Sequence, residues 1–278
     1  MNRSKQQGCL LEIKSDYHVH TTLCHHAEGE MEDYVKRALE LGFNEIGFAD
    51  HAPVNDGFDP VHRMTWDEFP LYVETVERLR GMYSQIQIRL GVEADIYPGF
   101  ELSLQELSNA FPIEYVIGSV HFIDSDPVFF YDVKPRTDSE IQNFIKDYYQ
   151  RLILGVRSGL LDAIAHVDVI KWHYPDWKDF IGSQADSLFA EIQKAGMALE
   201  LNTSGLRKKP AESYPGLKLI QLAAAYEIPM ILGADAHEPR HVGADYHRAG
   251  HLLQEAGYHH LITFRSKLQA YAVQSTHV

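Results

Sequence analysis

The chain has 278 residues, 45% hydrophobic and 23% charged, and its 25 Lys and Arg against 39 Asp and Glu leave a formal charge of −14. That balance excludes whole-chain disorder and argues against general attraction to nucleic-acid backbones. No apolar run reaches the roughly 18 residues of a membrane-spanning helix, and Cys9 and Cys24 alone make no disulfide framework.

The polar start from Met1 to Gln7 is followed only by the short apolar patch of Cys9, Leu10 and Leu11. This is unlike a secretory signal, so a cytoplasmic location is expected. Short apolar runs alternate with longer amphipathic stretches, the pattern of βα units. Strand Asp16–His20 leads, followed by a helix with Met31, Tyr34, Val35, Ala38, Leu39 and Leu41 at helical spacing and Gly42 at its end. Strand Glu45–Ala49 precedes helix Asp67–Tyr83, and strand Ile86–Val92 precedes helix Glu101–Ala110. Strand Tyr115–Val120 is followed by the long helix Asp138–Ser158, and strand Asp162–His166 by helix Gln184–Ala195. Strand Met197–Leu201 precedes helix Leu217–Tyr226, strand Pro229–Gly233 precedes helix Asp245–Gly257, and Leu261–Phe264 is a short final strand candidate. No repeat, low-complexity tract or linker divides these units, so residues 1–278 read as one domain. A single closed parallel α/β barrel explains them better than two open sheets, although pattern alone leaves both standing.

The polar residues at the strand ends carry the argument. The successive strands end in His18 and His20, Asp50 and His51, Glu93 and Asp95, His121, His166 and Asp168, Asn202, and Asp235 and His237. In a parallel barrel these share one rim, the C-terminal face where barrel active sites lie. His18 and His20, like Asp235 and His237, are two residues apart and so point to one side of a strand. Imidazole and carboxylate donors without cysteine suit a catalytic zinc, manganese or iron site. One His-x-His is a weak signal, since solvent-facing pairs are common; such residues closing strand after strand form a strong one. His237 to His241 also matches H-E-x-x-H, but Pro239 and the preceding strand are unsuited to the helix that motif needs.

With those residues in place, the chain resembles the PHP (polymerase and histidinol phosphatase) superfamily of metal-dependent phosphoesterases, and within it the monofunctional histidinol-phosphatases. The matching stretches are Asp16–Thr21 (DYHVHT), Leu23–Gly29 (LCHHAEG), Phe48–Pro53 (FADHAP) and Gly91–Asp95 (GVEAD). They continue with Tyr115–His121 (YVIGSVH), Asn202–Arg207 (NTSGLR) and Gly233–His237 (GADAH). The resemblance implies a distorted (β/α)7 TIM-like barrel with three divalent ions, zinc, iron or manganese. It implies His18, His20, Glu93 and Asp235 on one ion, His121 and His166 with bridging Glu93 on a second, and His26, His51 and His237 on a third. It further implies hydrolysis of L-histidinol phosphate in histidine biosynthesis, with a hydroxide bridging two metals as nucleophile. Ala234 stands where the family often has Ser, and Glu238 where Arg is frequent, with Arg240 two places later.

Glu93, Asp235 and His237 are thus the expected catalytic residues, and Arg63 and Arg207 the expected phosphate binders, since arginine suits phosphate through its fork. Lys171 and Arg240 are weaker candidates. Asp50, Asp95 and Asp168 are candidates for orienting imidazoles, and His241 for protonating the leaving alkoxide. His25, His62, His173, His247, His251, His259, His260 and His277 read as surface or packing residues, and Trp66, Trp172 and Trp177 as packing or pocket-wall residues. The expected partner is a small phosphate monoester, with no nucleic acid or membrane; the alternatives are a PHP phosphoesterase acting on nucleotides or nucleic-acid ends, and a non-catalytic metal-binding regulatory barrel.

Overall fold

A computed structural model describes residues 13–129, 134–264 and 269–270; the polar start, Cys9 and His277 lie outside the described residues. Seven parallel strands follow one another around a barrel: β1 (Ser15–Val19), β2 (Glu45–His51), β3 (Gln87–Asp95), β4 (Tyr115–Ser119), β5 (Ala163–Ile164), β6 (Ala198–Asn202) and β7 (Met230–Gly233). The intervening helices are α1 (Met31–Glu40), α2 (Phe69–Met82), α3 (Phe100–Ala110), α4 (Asp138–Ser158), α5 (Lys178–Ala195), α6 (Leu217–Ala225) and α7 (Tyr246–Ala256). Past its strand end β7 returns to β1: Ala236 N–H donates to the His18 carbonyl at 3.0 Å, and His20 N–H to the Ala236 carbonyl at 2.9 Å. The barrel is therefore nearly closed, with seven strands as the resemblance implied. Among the described residues, no helix is long and apolar enough to cross a membrane.

The differences from the expected elements have physical causes. β2 and β3 run on through Asp50, His51, Glu93 and Asp95, all buried, because polar partners meet them at the rim: His20 and Thr21 for Asp50, His121 and Arg63 for Asp95, and His51 beside Glu93. β5 stops at Ile164, just before the left-handed backbone of His166 (φ 24°). α5 begins at Lys178; Gly182 and Ser183 interrupt its apolar period, although Ile181 is buried. The final strand candidate holds Ile262–Thr263, which pairs antiparallel with Gln269–Ala270 outside the barrel sheet. α4 matches its expected bounds because both ends are coded locally. Thr137 and Glu140 form a reciprocal capping box, and Gly159 takes the left-handed conformation after the last turn.

The barrel interior is filled from its N-terminal end. Tyr17, Tyr115 and Phe264 form an aromatic plug, with Tyr115 stacked on Phe264 at 4.5 Å between ring centres. A register irregularity between Asp16 and Val19 lets Tyr17 join the plug while the next residue, His18, belongs to the rim. The Tyr115 hydroxyl lies 2.9 Å from the Tyr17 carbonyl and 3.1 Å from the Phe48 carbonyl. Gly47 and Gly91 make room for its ring, since a Cβ at either would overlap it. Gly91→Ala is accordingly expected to cost about 1–3 kcal/mol of stability through overpacking, read as a lower urea midpoint. Equal midpoints for variant and parent would show that the plug yields.

Candidate metal centre

At the opposite end the inward-facing positions change from apolar to ionisable. Glu93 is central and its side chain is only 1% exposed. Its Oε2 lies 3.5 Å from His18 Nε2, 3.6 Å from His20 Nε2 and 3.1 Å from His51 Nδ1. Its Oε1 lies 2.9 Å from His166 Nε2 and 3.4 Å from His121 Nε2. One carboxylate thus faces two histidine groups, as a bridging ligand would. Asp235 Oδ1 completes the first group, 3.5 Å from His20 Nε2 and 3.3 Å from His237 Nδ1.

Two expected donor sets therefore gather: His18 and His20 with Asp235 beside Glu93, and Glu93 with His121 and His166. The third gathers differently. The His26 ring is 4.7 Å from His237 and 5.5 Å from His51, but His51 donor atoms fall in tight sets with His20 and Glu93, and with Asp95 and His121. His237 groups with His20 and Cys24, a buried thiol that the strand-end argument overlooks because it lies on the turn after β1.

The donor chemistry fits divalent cations. His18 Nδ1 is 2.6 Å from Glu200 and His20 Nδ1 is 3.3 Å from Asp50. These carboxylates favour protons on both Nδ1 atoms and leave the Nε2 lone pairs facing each other at 3.1 Å. Two lone pairs so close repel unless a positive charge, a metal ion or a proton, lies between them. Among the described residues, His51 Nδ1 and His166 Nδ1 are also buried without a hydrogen-bond partner. Zinc, iron and manganese all accept this mixture of imidazole and carboxylate.

Electrostatics describe the same demand. Burial opposes charge on His18 and His121, but adjoining carboxylates overcome it, Glu200 and Glu93 for the first and Asp95 and Glu93 for the second; each is pushed up to about 10. Burial also opposes charge on Glu93 and Asp235, yet both are held well below the carboxylate range. His121 and His18 do so for Glu93, Lys208 and His18 for Asp235. Burial, followed for His237 by the cationic His20, lowers both His51 and His237 and keeps them neutral, the state in which imidazole binds metal. Asp235 and His166 also occupy left-handed backbone (φ 51° and 24°). Such positions cost of order 1–3 kcal/mol each and persist where surrounding contacts impose them. Here Ser204 Oγ donates to Asp235 at 2.8 Å and Glu200 accepts from the His166 N–H at 3.0 Å.

The supporting residues divide unlike the expectation. Asp50 holds His20, the Thr21 N–H and the Thr21 hydroxyl; Asp95 holds His121 Nδ1 at 2.7 Å. Asp168 instead meets Lys171 Nζ at 2.8 Å and the Gly216 N–H at 3.0 Å, so both it and Lys171 brace the loop before α6. Arg63, expected to bind phosphate, points inward: it is buried, and each of its nitrogens donates internally. Nε reaches the Asp59 carbonyl, Nη1 the Ala52 carbonyl, and Nη2 Asp95 at 2.7 Å. Arg207 follows β6 in a short 3-10 turn, with Nη2 on the Ala234 carbonyl at 2.6 Å and Nη1 in contacts of 3.4–3.5 Å. Arg240 is exposed and pairs with Glu238. His237 and His241 share no α-helix, so the protease spacing is accidental. His25 is exposed and turned to the Val61 carbonyl. Trp66 and Trp177 pack on Phe111 and Phe180; Trp172 lies near Phe129, whose ring is 5.4 Å from His121. Sequence reasoning missed Glu200, Phe129 and Lys208, whose Nζ is 3.4 Å from Asp235; for Glu200 the available signal was an acid between two leucines of a buried strand.

Residues 16–204 match the PHP domain family model. The chain is 34% identical over 262 residues to a Deinococcus radiodurans protein named "Probable histidinol-phosphatase", covering 91% of this chain and 96% of that one. It is 28% identical to the histidinol-phosphatase of Bacillus subtilis, covering 84% and 97% of the two chains. Among solved structures, the histidinol phosphate phosphatase of Lactococcus lactis, complexed with zinc, L-histidinol and phosphate, superposes with a TM-score of 0.77 at 21% identity. That match covers 90% of this chain and 96% of the other, a likeness of fold.

The internal bonding of Arg63 makes a specific prediction. Arg63→Met leaves Asp95 buried without its cation and is expected to lower stability by roughly 3–5 kcal/mol in denaturant unfolding. Unchanged stability with a raised KM would return Arg63 to the substrate.

Proposed function

Because the chain belongs to the PHP domain family, we propose that it is a phosphoric monoester hydrolase that converts L-histidinol phosphate to L-histidinol and phosphate in histidine biosynthesis, using three divalent ions. The observation that carries this reading is Glu93, wholly enclosed, with one oxygen toward His18, His20 and His51 and the other toward His121 and His166. The names of the curated relatives supply the substrate. A regulatory barrel that merely held one ion would have no use for a bridging carboxylate.

His18, His20, Glu93 and Asp235 would hold one ion, Glu93, His121 and His166 a second, and His26, His51 and His237 a third. When bound, such ions acidify water to hydroxide near neutral pH for attack on phosphorus and offset charge on the phosphate oxygens. The chain's own residues position and neutralise. Asp50 and Glu200 orient the first two imidazoles, and Asp95, braced by Arg63, orients His121. Arg207 is the phosphate-facing cation of this reading, because its Nη1 contacts are longer than a normal charge-assisted bond. Lys208 adds positive charge beside Asp235. No amino-acid nucleophile is required. The whole of residues 1–278 as one domain, a cytoplasmic location and a small-molecule rather than nucleic-acid substrate belong to the same reading.

The test is phosphate release by the manganese- or zinc-loaded protein from L-histidinol phosphate beside nucleotides and sugar phosphates. L-Histidinol phosphate is expected to lead in kcat/KM by roughly 100-fold or more, as hydrogen-bonded selection allows. Equal turnover of generic esters would overturn the substrate assignment. Elemental analysis is expected to find three ions per chain. His237→Ala should lose one of them and its turnover while keeping its circular dichroism; retained activity would remove the three-ion scheme.

A further inference from the structure

Glu200 lies in the middle of β6 between Leu199 and Leu201, wholly buried beside the metal centre. Among the described residues it supplies no donor atom to the tight ligand sets, so its place in the barrel needs another explanation. Its two oxygens face different halves of the centre. Oε1 is 2.6 Å from His18 Nδ1; Oε2 accepts from the His166 backbone N–H at 3.0 Å and from Asn202 Nδ2 at 3.1 Å. A carboxylate only accepts, and these partners can all donate, so the arrangement is complementary.

Each bond has a consequence for a different ligand set. The bond to His18 places the proton on Nδ1 and leaves the Nε2 lone pair for the ion shared with His20 and Asp235. The bond to His166 holds its backbone in the left-handed region, in the conformation that brings Nε2 within 2.9 Å of Glu93. Neighbouring β7 leaves space for this device: a Cβ at Gly233 would overlap Glu200 Oε1 and come within 2.6 Å of His18 Cβ.

We propose that Glu200 is a positioning residue that couples the two halves of the metal centre, setting the ring of His18 and the backbone of His166 with one carboxylate. The coupling rests on the ligand reading above. Glu200→Gln preserves size, but its amide carries no charge and sets an NH2 against a donor on one side; the repulsion shifts the whole amide, so both links weaken together.

The experiment compares full-length wild-type and Glu200→Gln proteins loaded with zinc, by chelator competition with elemental analysis. Both ions of the two sets are expected to weaken together, by about 10- to 100-fold each. The 15N imidazole spectrum is expected to lose the His18 Nδ1–H signature, which a general loss of stability in a still-folded protein would not remove. Glu200→Asp keeps the charge but shortens the reach, and is expected to reproduce the joint loss; should Glu200→Gln not fold, Glu200→Asp is read by the same criteria. Unchanged affinities, or loss confined to one ion, would overturn the coupling. A wild-type chain that binds no zinc would overturn the ligand reading itself, and the coupling with it.

Discussion

A buried carboxylate must be matched by positive charge, and the upper half of this barrel is organised around that requirement. Glu93 sits where water cannot reach it and where isolation would cost several kcal/mol. Histidines from five elements converge on it: β1, the turn beyond β1, β2, the loop beyond β4 and the loop beyond β5. The compensation then propagates outward. His18, His20 and His121, which face Glu93 with one nitrogen, turn the other to Glu200, Asp50 and Asp95, and Asp95 in turn needs Arg63. Charges alternate in shells, so removing a member leaves its neighbour buried and unpaired.

This arrangement depends on closure. His18 and His20 belong to the first strand, Asp235 and His237 to the segment after the last, and they meet only because Ala236 bonds back across the seam. The seam passes through the ligand pairs themselves: the bonded carbonyls and N–H groups belong to His18, His20 and Ala236. Opening the barrel there would separate two donors from two others. The aromatic plug at the other end supports the same geometry from below, since Tyr17 and His18 are adjacent in the chain and serve the plug and the rim respectively.

Most ligand positions are legible in the sequence because a polar residue that ends an apolar run has few places to go in a parallel barrel. His18, Glu93, His121, His166 and Asp235 all follow that logic, and His26 comes only through the family resemblance. The logic fails for Glu200. In β6 the residues Leu199 and Leu201 face outward, beneath the helices, while Ala198, Glu200 and Asn202 face inward. A half-exposed sheet would show the same alternation with the acid in solvent, so pattern alone assigns Glu200 to the wrong side. Arg63 is opaque for a different reason. An arginine in a loop has enough reach to point at substrate or inward, and only the depth of Asp95 shows that inward is required. The start of α5 is hidden because Gly182 and Ser183 break the period that tertiary packing of Ile181 restores.

The acidic total of the chain also acquires a different meaning. An anionic ester approaching the rim meets few free carboxylate oxygens. Asp50 is held by His20 and Thr21, Asp95 by His121 and Arg63, and Glu200 by His18, His166 and Asn202. Glu93 and Asp235 face inward to imidazoles, and the partly exposed cations nearby are Lys208, beside Asp235, and Arg207, beside Asp245 and the Ala234 carbonyl. Phosphate attraction is a local property, set by which charges are already matched and which still have reach. The net charge of the molecule and the affinity of its rim for a phosphate are therefore separable quantities. The buried acids of the rim are engaged in holding the site's imidazoles and cations in place, and the chain's net charge is set mostly by acids elsewhere.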